Sequence, residues 1–104
     1  MIPSNNQLKS NPMASFNKSD LQHNHYNWTN KSKQDFERIR GFHDDTSLTK
    51  TEGYEVLPYI NRYMNYRSWK LITSFHKIEN AIINELPEDI KLHGTVKKWL
   101  DQNV

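Results

Sequence analysis

The sequence predicts a small all-α fold: a compact cluster of three or four short helices behind a disordered or irregular polar N-terminal arm. Three observations lead there. Beyond Ile39 the apolar residues recur at intervals of three and four, and no stretch alternates as a half-buried strand would. Ahead of Ile39 the only Ile, Leu or Val residues are Ile2, Leu8 and Leu21, too little to offset the roughly 1–2 kcal/mol of backbone entropy that each ordered residue costs. The chain is 104 residues long, so it holds one domain at most, divided as an arm over residues 1–30 and a helical domain over 31–104.

The arm is rich in Asn, Ser, Gln and Lys, contains Pro3 and Pro12, and shows no periodicity. Phe16, Leu21, Tyr26 and Trp28 interrupt it, and such isolated apolar groups are suited to docking on the domain or on a partner.

A first helix is expected from about Lys33 to Arg40, with Ser32 as its cap, Asp35 and Glu37 near its positive end and Gly41 as its stop. His43-Asp44-Asp45-Thr46-Ser47 then reads as a loop. Thr49-Lys50-Thr51-Glu52 matches the reciprocal capping pattern, so a second helix should begin there and place Val56, Ile60, Tyr63 and Met64 on one face. Pro58 interrupts that helix; it forces either a kink near Tyr54 or a fresh start with Pro58 in the first turn. The third helix carries the strongest signal, because Leu71, Phe75, Ile78, Ile82 and Leu86 fall on one stripe. Ser68 or Ser74 should start it, and Pro87 should end it. A last short helix over about Thr95 to Gln102 aligns Val96, Trp99 and Leu100.

The chain has no Cys, which excludes disulfides, thiolate metal sites and cysteine nucleophiles. No apolar run approaches the ~20 residues of a membrane span, and no signal-peptide pattern opens the sequence, so a cytoplasmic, non-membrane protein is expected. With three Gly in all, neither a phosphate-binding loop nor a nucleophile elbow exists. His23 and His25 lie in the arm, where nothing preorganises ligands, and His43-Asp44-Asp45 lacks a metal-site spacing. His76 and His93 read as helix-surface or loop residues. No catalytic residue, metal, cofactor or small-molecule substrate is therefore expected, and the protein reads as a non-enzyme.

Binding is what remains. The formal net charge is only +2, but its distribution is uneven. Arg62, Arg67, Lys70 and Lys77 occur between Val56 and Ile78 without a single acid, whereas Glu79, Glu85, Glu88 and Asp89 follow directly. Tyr59, Tyr63 and Phe75, interleaved with those cations, share the apolar stripes and are assigned to the core. The surface left over is Arg62, Tyr66, Arg67, Trp69, Lys70 and Lys77, at the junction of the second and third helices. Trp, Tyr and Arg are the residue types enriched at interface hot spots, which makes a protein partner or self-association the leading expectation. The alternative is a nucleic-acid-associated accessory role, with the cations on phosphate and Tyr66 or Trp69 stacking on bases. Sequence-specific duplex reading fits poorly, since the helix that would enter a groove exposes Glu79, Asn80, Asn84 and Glu85.

Overall fold

Three helices carry the core: α1 (Gly53–Arg67), α2 (Ile72–Asn80) and α3 (His93–Asn103). They are seen in a computed structural model that describes residues 15–29 and 39–104. Among these residues the fold is all-α, as expected; two isolated bridges, Asn27 with Glu52 and Ser47 with Leu92, are the only strand-like pairings. No helix among the described residues is long and apolar enough to cross a membrane. The expected helix at 33–40 lies mostly outside the described residues, and its last two positions, Ile39 and Arg40, are not helical.

α1 begins three residues later than the capping pattern suggests, with Glu52 and not Thr49 as its cap residue. The Glu52 carboxylate accepts from the Tyr54 backbone N–H at 3.4 Å. Glu55, one turn in, accepts from the Thr49 N–H at 3.0 Å and so folds the preceding turn onto the helix. Pro58 sits inside an unbroken α1 rather than at a new start. Val56, Tyr59, Ile60, Tyr63 and Met64 are completely buried, as their spacing requires.

α2 starts at Ile72, with Leu71 as an extended cap residue and neither Ser68 nor Ser74 in that role. Leu71 therefore leaves the apolar stripe and is 68% exposed, whereas Phe75, Ile78 and Ile82 are buried. At Ala81–Glu85 the helix widens into a π turn, closed by the Leu86 N–H on the Ala81 carbonyl at 2.8 Å. Leu86 is extended, as Pro87 demands. α3 adds Val96 and Leu100 to the same core. Burial of each such side chain contributes about 1.5–3 kcal/mol.

Residues 15–29 form an irregular strap over α1 and α2, with one 3₁₀ turn at Lys18–Asp20. Its apolar groups dock on the domain itself. Phe16 stacks on Phe75 with ring centroids 4.6 Å apart. Its backbone is bracketed by the Asn61 carboxamide, which accepts from Phe16 N–H at 2.9 Å and donates to Phe16 C=O at 3.1 Å. Trp28 packs edge-on to Tyr54 and over Gly53, where a Cβ would strike the indole. The Asn27 N–H donates to Thr51 O at 2.7 Å, and Gly53 N–H donates to Asn27 O at 2.8 Å.

Glu79 explains why the strap stays down, and it overturns the expectation of an exposed acid. Its side chain is 0% exposed. The carboxylate accepts from Gln22 N–H at 2.8 Å, His23 N–H at 3.1 Å and Tyr26 O–H at 2.8 Å. Three donors converging on one buried acid replace its lost hydration. Burial first, then the hydrogen bond and charge of Glu79, push the Tyr26 hydroxyl well above its usual range.

Candidate functional site

The junction between α1 and α2 is shaped by a backbone motif. Ser68 ends α1 in the left-handed conformation, with φ +60°. Ser68 N–H then returns to Asn65 O at 3.1 Å and Trp69 N–H to Met64 O at 2.9 Å, the paired bonds of a Schellman stop. This turn, usually made by glycine, folds Trp69 back on Tyr63, ring centroids 6.2 Å apart. The chain leaves with Lys70, Leu71 and Ile72 projecting outward; the last two are 68% and 38% exposed.

One carboxylate from α3 ties this corner together. Asp101 accepts from the Tyr63 hydroxyl at 2.8 Å, pairs with Lys97 at 3.0 Å and lies 3.6 Å from Arg67. Arg67 Nη1 also donates to the Tyr63 oxygen at 2.8 Å, and its guanidinium stacks 4.3 Å over Trp69. Lys97 sits 4.5 Å over the ring of Tyr66, which is itself 49% exposed.

The ionisations follow from that knot. Partial burial alone would raise the Asp101 carboxyl, but the Tyr63 hydrogen bond and the Lys97 and Arg67 charges hold it below the usual range. Burial, reinforced by Asp101 and opposed by Arg67, pushes Tyr63 up to about 12. Tyr66 and then Asp101 raise the Lys97 ammonium.

Four of the six residues that the sequence singles out meet here: Tyr66, Arg67, Trp69 and Lys70. Arg62 does not join them. It is half-buried, donates from Nε to Ile39 O at 3.1 Å, and its guanidinium lies 6.0 Å from the Phe42 ring and 5.8 Å from the Tyr59 ring; burial lowers its pKa, more than the Tyr59 side chain restores. Lys77 is exposed further along α2. Sequence reasoning assigned Leu71 to the core, and it left Ile72, Lys97 and Asp101 unremarked. The i, i+4 spacing of Lys97 and Asp101 is a legible ion pair, but nothing in the sequence joins it to Tyr63, 38 residues away. His93, expected at a surface, is 1% exposed.

A groove of about 850 Å³ lies on the other side of α1, lined by the strap residues Phe16, Lys18 and Trp28 together with Tyr54, Asn61 and Arg62. Several of its polar groups are occupied internally: Asn61 holds Phe16, and Lys18 lies 4.4 Å over Trp28. Among the described residues no three His, Cys, Asp or Glu side chains gather as a metal site would require. The α1–α2 corner is thus where aromatic, apolar and cationic groups face solvent together. No family model matches this chain, and no match was found among curated proteins or solved structures.

Proposed function

We propose that this chain is a small non-enzymatic binding or regulatory protein whose α1–α2 corner docks a protein partner bearing acidic residues around an apolar anchor. The observation that carries this is the coexposure of Tyr66, Leu71 and Ile72 beside Arg67, Lys70 and Lys97, with Asp101 the one acid tied into the knot among the described residues. Fixed aromatics bordered by cations are the composition of an interface centre and its rim. A cytoplasmic setting belongs to the same proposal and draws support from the absence of Cys.

Nucleic acid draws less support from the same geometry. Arg62 is turned inward, while Arg67 and Lys97 share Asp101, so few cations remain to track a phosphate backbone.

Photocrosslinking tests the proposal. A benzoylphenylalanine placed at Leu71, which is largely exposed, is expected to capture a protein, and Tyr66→Ala should weaken that complex roughly 5- to 30-fold. Lys70→Glu should slow its association, most visibly at low salt. Capture of nucleic acid, or protein capture unaffected by either substitution, would overturn it.

A further inference from the structure

The start of α3 is closed over by the loop at 42–48. Leu48 N–H donates to Lys91 O at 2.7 Å, His93 N–H to Thr46 O at 2.8 Å and Gly94 N–H to His43 O at 3.2 Å. The fit is tight enough that a Cβ on Gly94 would strike the Asp44 carboxylate. Beneath this closure His93 is 1% exposed, and among the described residues neither ring nitrogen reaches a partner in full hydrogen-bond geometry, the Ser47 backbone offering only a weak one. Its ring meets Tyr59 edge-on, with centroids 4.9 Å apart, and the Tyr59 hydroxyl donates to the His93 carbonyl at 2.8 Å.

Such a site accepts imidazole and rejects imidazolium. From α1, Arg62 and Tyr59 face the ring; from the loop, His43 and the Ser47 backbone do. Asp44 lies against Gly94 and does not offset these charges, and Lys97, one turn along α3, is turned to Asp101. Burial first, then the Arg62 and His43 charges, bring His93 down to about 4 from 6.5, with only Ser47 opposing.

We propose that His93 is an acid-operated latch on the corner: proton uptake expels the ring, unclips the 42–48 loop from α3 and loosens the helix that holds Asp101 and Lys97 against Arg67 and Tyr66. The consequence for binding rests on the docking role proposed above; the latch itself requires no partner. Because the folded-state pKa is depressed, the closed state is fully favoured above about pH 6.5, and this preference is lost as pH falls towards about 4. The opening constant should rise roughly thirty-fold between about pH 7.5 and pH 5.

Amide exchange of the full chain at those two pH values, corrected for intrinsic rates, reads the latch directly. Protection of Leu48, His93 and Gly94 should fall roughly thirty-fold and stay below that of Ile78 in α2, and His93→Leu should abolish the pH dependence. Unchanged loop protection, or the same fall in His93→Leu, would overturn the latch. Should that variant fail to fold, the wild-type His93 ring resonance decides, since an ordinary midpoint near 6.5 with the loop still protected is fatal to it. Crosslinking from position 71 separates the two proposals. Loop opening with no capture at either pH supports the latch and removes the docking role, whereas undiminished capture at pH 5 from an opened loop overturns the coupling between them.

Discussion

Glu79 shows how far a single residue can depart from its sequence neighbourhood. It sits among Lys77, Asn80, Asn84 and Glu85, all exposed, yet it is buried because the strap supplies two N–H groups and a phenol to its two oxygens. Helical position alone already hinted at this, since Glu79 follows Ile78 and lies four residues after Phe75, both buried. The partners themselves were illegible, being more than 50 residues away in a stretch without periodicity. Glu79→Gln keeps the shape but offers one oxygen and an N–H₂ that faces donors, so at least one buried donor goes unpaired. A loss of about 1–3 kcal/mol is expected, read as a lower urea midpoint with an unchanged slope. His93 is a second such case: a polar residue at a helix start reads as exposed, but the returning 42–48 loop and the Tyr59 ring of α1 bury it.

At the scale of elements, the sequence located the helices well and their ends poorly. Apolar periodicity fixed α1, α2 and α3 because burial selects one face of each, and it identified Tyr59, Tyr63 and Phe75 as core. The starts were harder. Glu52 is close enough to Thr49 to mimic a capping pair, but its carboxylate turns forward to Tyr54 and sideways to Thr29. The α1 stop was hidden for a related reason: the left-handed position carries Ser68, and sequence signals for such a stop rely on glycine. This makes a direct prediction. Ser68→Gly relieves the positive-φ cost and should stabilise the protein by up to about 1 kcal/mol in thermal or chemical denaturation, with the corner intact. A neutral or destabilising result would show that the serine side chain has another role.

For the molecule as a whole, composition gave the class and topology gave the surface. One small core, one polar N-terminal arm and an uneven charge distribution were all visible in the chain; that residues 15–29 of the arm are held on the helices as a strap was not. What was not visible is which cations stay available. Arg62 is bonded to Ile39 and Arg67 is shared with Asp101, whereas Lys70 projects from the turn. Formal charge along the sequence therefore overstates the cationic field, and the docking site shrinks to the one corner where apolar groups are also exposed.

The strap has a kinetic consequence. Its bonds to Glu79 and Asn61 join residues 45 to 57 positions apart, whereas α1, α2 and the turn between them form from neighbours. Closing such long loops is slow to be rewarded, so the strap should dock only after the rate-limiting step of folding. Tyr26→Phe, which removes the phenol's bond to Glu79, should then speed unfolding several-fold and leave the refolding rate unchanged in stopped-flow chevron measurements. On that order of events the strap acts on the lifetime of the native state, holding closed a helical core that assembles without it.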